Sequence, residues 1–508
     1  MRGSDVLSPA PFDTDTPDPL RFRALGVIAI AQLMVVLDAS VVTVALPSAQ
    51  AGLHISVANR QWVVTAYTLA FGGLLLLGGR IADFLGRKRM FEISLLGFAA
   101  ASALGGLAQN SAMLFGARAL QGAFAAIMAP AALSLLTVTF TEARERARAF
   151  GVYGGISGGG AAIGLILGGV LTQFASWRWT LLINVPIALI AAGLSRRLVR
   201  ESKAEGEVHY DVFGALTVTG GLLALVYGFT KAESDGWGSS TTAGFLLVAV
   251  ALLGAFLIIE SRASHPLLPM RVVAERNRGG AFLGGLLLGA AMFGTFLFLT
   301  YYLQSTLGYS AFKTGFAFLP FSVGIIASAA LASQLLPRIG PRLVLTGGMA
   351  LGAAGLVVFT QVGVHTGYFS HVMPAELMTS FGLGLAFVPL TSTALVGVAP
   401  TDAGVASALV NTTQQVGGSL GTALLNTIAA SATASYVAAH GSGVAARAAS
   451  FVHGYTTAFT VSAALLAAAA VASLVLVRAG RDDIAAADSG EALSASAQRG
   501  ERPTGELA

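Results

Sequence analysis

The sequence predicts an all-α membrane protein with 14 transmembrane helices, in two pseudo-symmetric six-helix bundles with two helices inserted between them. Three observations lead to this prediction. The chain of 508 residues is 55% hydrophobic and only 11% charged, whereas a soluble protein carries about 25% charged residues. Apolar runs of roughly 20 residues, the length of a helix that crosses a bilayer, recur along most of the chain. Short sequence patterns also repeat between its two ends.

The predicted spans divide the chain into five regions. Residues 1–20 are polar and proline-rich without the apolar core of a signal peptide, and we expect a disordered cytoplasmic tail. Spans 1–6 form an N-terminal bundle over 21–203. Two spans without a counterpart occupy 204–265, and spans 9–14 form a C-terminal bundle over 266–478. Residues 479–508 are predicted to be a second disordered cytoplasmic tail.

The repeated patterns indicate that the two six-helix bundles are related. The short sequence around each of three glycines in the first half has a similar counterpart in the second half. The number of residues that separates the two members is nearly the same for all three pairs. The pairs are Gly86 with Gly340, Gly122 with Gly382, and Gly164 with Gly421. Paired bundles around a central cavity are a transporter architecture, in which substrate binds near the middle of the membrane.

The distribution of cations predicts the orientation of the helices. Most of the 30 Lys and Arg residues fall in loops on one side of the predicted bilayer, and such loops face the cytoplasm. Both termini are therefore predicted to be cytoplasmic, in a bacterial inner membrane that the chain crosses many times. The net charge of +5 is explained by basic loops beside anionic lipid, so no nucleic-acid partner is expected.

Two charged residues lie inside predicted spans. Asp38 is central in span 1, where an ionised carboxylate costs about 2.5–3.5 kcal/mol on insertion scales. It either takes part in proton coupling or substrate contact, or it is a hydrogen-bonded packing residue. Arg118 in span 4 keeps its charge and must face a carboxylate, backbone carbonyls or water. The sequence leaves open whether these two residues contact each other.

Polar and aromatic residues within predicted spans are the candidates for a substrate cavity. Asn411, Gln414 and Gln415 place three amides in span 13, where residues three and four apart share a helix face. They either bind polar groups of a substrate or hydrogen-bond neighbouring helices. The other predicted cavity residues are Gln32, Gln121, Phe293 and Phe296.

Three motifs together resemble the major facilitator superfamily and, within it, the family of drug:proton antiporters with fourteen spans. GRIADFLGRKR, 79–89, is similar to the superfamily's loop between spans 2 and 3. LDASVVTVALP, 37–47, resembles the antiporters' first-span motif, and LFGARALQGAFAA, 114–126, resembles their fourth-span arginine motif. The resemblance covers nearly all of 24–478.

The resemblance implies a monomeric exporter of drugs or antibiotics that is driven by a proton gradient, with Asp38 and Arg118 in proton coupling. In the loop between spans 2 and 3, Gly86 permits a sharp turn, and Asp83 would contact groups across the loop in one arrangement of the bundles. Such contacts would latch the outward-facing state, whereas the alternative is a loop that only anchors the cytoplasmic side. The predicted latch is Gly79, Asp83, Gly86, Arg87, Lys88 and Arg89.

Span 5 carries glycines at four-residue spacing, which lets helices approach closely. The antiporter motif at this place is a glycine row followed by Gly-Pro, whereas this chain has Gly164–Leu165. We interpret the row as an exporter feature, and the alternative is close packing without a bearing on direction. The row comprises Gly160, Gly164, Gly168 and Gly169.

Several function classes are disfavoured by the sequence. The chain lacks the G-x-x-x-x-G-K-[ST] loop that binds ATP. It has no cysteine, and its histidines do not have the spacing of metal ligands. It also lacks a soluble domain long enough for an enzyme, so no cofactor or metal is expected. A proton gradient is the expected energy source, since one charge crossing 100 mV supplies about 2.3 kcal/mol. The expected partners are the bilayer, protons and a small organic substrate. An importer or metabolite transporter of the same fold is the alternative, and a membrane-embedded enzyme with a lipid substrate is a remote one.

Overall fold

A computed structural model describes residues 20–57, 59–140, 142–203, 211–263, 266–268, 270–398, 403–441 and 443–481. The two predicted tails lie almost entirely outside these residues. Between them, the described chain is built of α-helices with short connections and two π-helical turns, Tyr302–Thr306 and Tyr368–Val372. The predicted all-α class is therefore confirmed for the described residues.

The helices of the first part of the chain are α1 (Arg21–Gly52), α2 (Trp62–Leu85), α3 (Arg87–Gly106), α4 (Ser111–Thr139), α5 (Ala143–Phe174), α6 (Trp179–Leu182), α7 (Asn184–Leu198), α8 (Val212–Asp235) and α9 (Ser240–Arg262). Those of the second part are α10 (Met270–Val273), α11 (Arg276–Tyr301), α12 (Ala311–Ala317), α13 (Leu319–Ile339), α14 (Pro341–Phe359), α15 (Met373–Leu395), α16 (Ala403–His440) and α17 (Val444–Leu476).

Apolar length distinguishes the helices that can cross a bilayer. Among the described residues, 10 helical spans are long and apolar enough to cross a membrane. The number is 11 when the two segments of the bent helix α2 are counted together as one span. Helices α3 and α16 fall short of this criterion because of their polar residues. Three cations, Arg87, Lys88 and Arg89, begin α3, and the three amides of span 13 lie in α16.

Small residues let the helices pack closely within each part of the chain. On α2, a Cβ atom at Gly78 would overlap the backbone of Ala126 on α4, and on α4 a Cβ atom at Gly122 would overlap the carbonyl group of Tyr67. Helix α1 packs on α5 and α7, and α3 packs on α4 and α7. In the second part, α11 packs on α16 and α17, and α15 packs on α13 and α14. Helices α8 and α9 pack on each other, and α8 also lies against α2 and α16.

We call α1–α7 and α10–α17 the two groups of helices. They pack on each other through α2 and α16, and they also meet at one end of the bundle. We call the end where α1 begins and α2 ends the basic end, because it carries Arg87, Lys88 and Arg89, and we call the opposite end the distal end. At the distal end, α5 packs on α12, and a Cβ atom at Gly169 would lie only 2.7 Å from the carbonyl oxygen of Ala311. The Gln304 side chain donates a hydrogen bond of 2.9 Å to the Val44 carbonyl. These contacts close the cleft between the groups distally.

Candidate functional site

A cavity of about 840 Å³ lies between the two groups of helices. Its lining comes from α1, α2, α4 and α5 on one side and from α11, α15 and α16 on the other. It extends to Asp83, Thr137 and Leu395 near the basic end of their helices. Together with the distal contacts, this lining describes a cleft that is closed distally and extends towards the basic end.

Most of the predicted cavity residues line this space. They are Gln32, Phe293, Phe296, Asn411, Gln414 and Gln415. The walls are mainly apolar, and their large apolar side chains include Phe71 and Leu75 of α2 besides the aromatic residues of α11. Gln121 is the exception, because its side chain lies in a buried cluster behind the cavity wall. The expectation that Gln121 lines the cavity is therefore corrected.

The three amides of α16 have unused hydrogen-bonding capacity. Asn411 is exposed, and Gln414 and Gln415 are partly exposed. Within the part of the chain that the structure describes, these side chains make no hydrogen bond to a neighbouring helix. Each amide offers both donors and acceptors, so the group is suited to polar groups of a molecule in the cavity. Their role as substrate ligands stays a prediction.

Charged groups are scarce on the cavity wall. Among the described lining residues, only Arg80 and Asp83 carry a charge at neutral pH, and both lie in the last two turns of α2, near the basic end. The carboxylate of Asp83 accepts a hydrogen bond of 2.8 Å from Arg87 Nε. The deeper wall between α1, α11 and α16 is therefore uncharged over the residues that the structure describes.

A buried ion pair lies behind the wall. Arg118 Nη1 is 2.6 Å from Asp38 Oδ2, and the two residues are 1% and 0% exposed. Asp38 Oδ1 accepts hydrogen bonds of 3.0 Å from Gln121 Nε2 and 2.8 Å from Asn184 Nδ2. Four helices, α1, α4, α7 and α2, contribute to this cluster, because Arg118 Nε also donates to the Val63 carbonyl at 2.9 Å.

This cluster resolves an alternative that the sequence left open. Arg118 does face a carboxylate, and it also contacts a backbone carbonyl, that of Val63 in α2. Since both oxygens of Asp38 are occupied, the carboxylate is well compensated in this arrangement. Removing one partner of such a buried pair typically costs about 3–5 kcal/mol, because the other charge remains buried.

Tyr67 separates the ion pair from the cavity. The guanidinium carbon of Arg118 lies 4.4 Å from the centre of the Tyr67 ring, and Tyr67 also belongs to the cavity lining. Its hydroxyl group is buried and has no hydrogen-bond partner among the described residues. Sequence reasoning missed Tyr67, because an aromatic residue in an apolar helix carries no local signal of a buried charge behind it.

The loop between α2 and α3 has the predicted sharp turn. Gly86 has φ of 110°, a region that residues with a Cβ atom rarely adopt. Asp83 pairs with Arg87 across this turn. The Glu201 carboxylate accepts from the backbone N–H groups of Lys88 and Arg89 at 3.1 and 3.0 Å, and so stabilises the first turn of α3. These contacts join α2, α3 and the end of α7, and the latch function itself stays a prediction.

The predicted latch and glycine-row residues have clear packing partners. Gly79 lies against Pro130 of α4, and Lys88 Nζ donates a hydrogen bond of 2.9 Å to the Arg196 carbonyl. Gly160, Gly164 and Gly168 face α1, and Gly168 meets the backbone of Val41. Gly169 faces α12 of the other group. The row therefore serves close packing, and its bearing on transport direction stays untested.

Arg60 forms a second buried cationic site, which the sequence did not reveal. It is 4% exposed, although it lies in the connection between α1 and α2. Arg60 Nε donates to Asn426 Oδ1 at 2.9 Å, and its guanidinium carbon lies 4.1 Å from the centre of the Tyr301 ring. Tyr301 in turn donates a hydrogen bond to Gln50. This distal network joins the two groups of helices.

Comparison with known proteins identifies the family. A family model described as Major Facilitator Superfamily matches residues 28–422. The puromycin resistance protein pur8 of Streptomyces alboniger is 50% identical over 91% of this chain and 92% of that protein. The cephamycin export protein CmcT of Amycolatopsis lactamdurans is 39% identical over 81% of this chain and 85% of that protein. The tetracenomycin C resistance and export protein of Streptomyces glaucescens is 35% identical over 80% and 75%.

Solved structures share the fold. A bacterial homologue of the human lysosomal transporter Spinster, in an inward-facing and unoccupied conformation, has a TM-score of 0.66 at 15% identity over 92% of this chain and 99% of that chain. An auto-inhibited peptide transporter of the POT family has a TM-score of 0.66 at 17% identity over 90% and 97%. The sequence match and the many apolar helices show a multi-pass membrane protein from a family of transporters rather than of enzymes. The chain belongs to the Major Facilitator Superfamily.

Proposed function

We propose that this protein exports an amphipathic drug or antibiotic from a bacterial cell in exchange for protons. The observation that carries the proposal is the adjacency of an apolar, amide-lined cavity and a buried Asp38–Arg118 pair, separated by Tyr67. The relatives named for puromycin resistance and for cephamycin export support an exporter of natural antibiotics.

The proposed architecture has fourteen spans in the inner membrane, as two pseudo-symmetric halves, 21–203 and 266–478, with two spans inserted between them. The basic end would be cytoplasmic, because cationic loops favour that side, and the protein would act as a monomer. With this orientation, the distally closed cleft is an inward-facing state that takes up substrate from the cytoplasm. The antiporter needs no cofactor beyond the proton gradient.

Proton coupling would act through α2. Protonation of Asp38 removes the counter-ion of Arg118, so the guanidinium then depends more on its α2 contacts, the Val63 carbonyl and the Tyr67 ring. Helix α2 also meets α16 across the cleft, where Gly72 packs against Gln415. A change at the ion pair can therefore bias the position of α2 against the helix that carries the cavity amides.

The test is a drug-susceptibility panel in a pump-deficient host, with and without a protonophore. We expect resistance to at least one amphipathic antibiotic, and loss of that resistance with the protonophore. Everted vesicles test direction, since an exporter accumulates substrate inside them when their interior is acidified. Substrate accumulation that is the same with and without the proton gradient would refute proton coupling. Movement of substrate out of the everted vesicles would favour the importer.

A further inference from the structure

We propose that the transported molecule carries no permanent positive charge: the site selects uncharged amphipathic compounds and excludes permanent organic cations. This inference rests on the proposed export function and specifies its substrate class. It starts from the charges around the cavity. Over the described residues, the deep wall has amides, hydroxyl groups and apolar side chains, and the lining contains one carboxylate, that of Asp83 near the basic end.

Both acids near the cavity already have a cationic partner. Asp83 already pairs with Arg87, an i,i+4 contact of 2.8 Å. Asp38 is fully buried, and its two oxygens accept from Arg118, Gln121 and Asn184. A cation entering from the basic end would also pass Arg80, which lines the cavity and has no acidic partner in the described chain. Its charge repels other cations.

The free energy of hydration that a permanent cation loses in the cavity disfavours its binding. An ion that leaves water for an apolar cavity needs a counter-charge or several hydrogen bonds to recover its lost hydration. A quaternary ammonium or phosphonium ion cannot accept hydrogen bonds and has no N–H to donate, so the α16 amides offer it little. Cation–π contacts with the rings of Phe71, Phe293 and Phe296 would compensate only part of that loss.

The same wall suits an uncharged molecule with an apolar ring system and polar substituents. The aromatic side chains can pack on a ring, and Asn411, Gln414 and Gln415 can donate to carbonyl groups and accept from hydroxyl or amide groups. The volume of about 840 Å³ falls within the range of pockets that hold a drug-sized ligand.

A charged probe and a set of uncharged probes test the proposal in purified, full-length protein and in cells. Tetraphenylphosphonium is the permanent cation, and uncharged aromatic antibiotics form the other arm. We measure binding by isothermal titration calorimetry, which does not depend on proton coupling, and export by susceptibility of a pump-deficient host. We expect binding and protection to be roughly tenfold or more weaker for tetraphenylphosphonium than for the best uncharged compound.

A substitution that adds a negative charge to the cavity wall tests whether the missing counter-charge is what excludes cations. Asn411→Asp introduces a carboxylate of nearly equal size at an exposed position of the wall, and we expect it to raise tetraphenylphosphonium binding roughly tenfold. Asn411→Ser is the matched uncharged control and leaves the cation excluded. The level of folded protein is measured for both variants by size-exclusion chromatography.

The outcomes separate the two proposals. Wild-type binding or export of tetraphenylphosphonium that equals that of the best uncharged compound overturns the substrate class while leaving export intact. A folded Asn411→Asp protein that binds the cation no better than Asn411→Ser also overturns it. A panel without any protonophore-sensitive resistance, together with no binding in either arm, removes the proposed export function and this inference together.

Discussion

Asn426→Leu is predicted to open the distal end of the cleft. The Asn426 side chain accepts from Arg60 Nε at 2.9 Å and donates to the Val57 carbonyl at 3.1 Å and to Gln61 Oε1 at 3.0 Å. All three contacts join α16 to the segment that begins α2. Leucine is similar in size to asparagine, but it can neither accept from the buried guanidinium nor donate to the two oxygens.

The size of the effect follows from these contacts. A hydrogen bond to a charged group contributes about 1.5–3 kcal/mol, and a neutral one contributes about 0.5–1.5 kcal/mol. The bond from Arg60 alone therefore corresponds to a change of roughly 10- to 150-fold in the equilibrium between distally closed and distally open states. Because Arg60 is 4% exposed, water cannot replace the lost acceptor while the cleft stays closed, so the variant favours the open state.

The assay uses the absence of cysteine from the chain. Thr43→Cys places a single thiol on the cavity wall, and a membrane-impermeant maleimide added to intact cells labels it only when the distal end is open. We expect Asn426→Leu to raise the labelling rate at least tenfold. Ser431→Leu, at an exposed position of the same helix, is the control and leaves the rate unchanged. An unaltered rate in correctly folded Asn426→Leu protein would refute the assignment of this network as the distal closure.

Three further predictions concern the ion pair and the helix contacts. Asp38→Asn abolishes proton-driven efflux while substrate binding remains, as measured by vesicle transport and by ligand fluorescence; efflux at the wild-type rate removes Asp38 from the mechanism. Tyr67→Phe keeps the ring under Arg118 and the pH dependence of efflux, whereas Tyr67→Leu loses the ring contact and alters that dependence. Identical pH profiles for the two variants would contradict a coupling role for the ring. Gly168→Val forces side-chain atoms against the Val41 backbone, where a Cβ atom alone would lie 2.8 Å from the carbonyl oxygen, and lowers stability by about 1–3 kcal/mol; an unchanged melting temperature in detergent would show that α1 and α5 are not tightly packed there.

Much of the fold and part of the site could be predicted from local sequence. Apolar runs of bilayer length indicate membrane helices wherever they occur, and Gly86 with its flanking charges indicates a sharp basic turn. The amides of α16 were also recognisable, since Asn411, Gln414 and Gln415 recur at helical spacing. Such features depend on residues within a few turns of one another, and so a single sequence contains them.

The tertiary structure alone decided which polar groups meet. It pairs Arg118 with Asp38 of another helix. It places Gln121 in a hydrogen bond with Asp38 instead of on the cavity wall. It also buries Arg60 against Asn426, 366 residues away in the sequence. In an apolar environment a charge must find a compensating partner, but any of several helices can supply one. The sequence by itself therefore determined that the charges of Asp38 and Arg118 are costly and need partners. Only the packing of distant helices determined which partners they have, that Arg60 is buried, and which side chains are left to face the cavity.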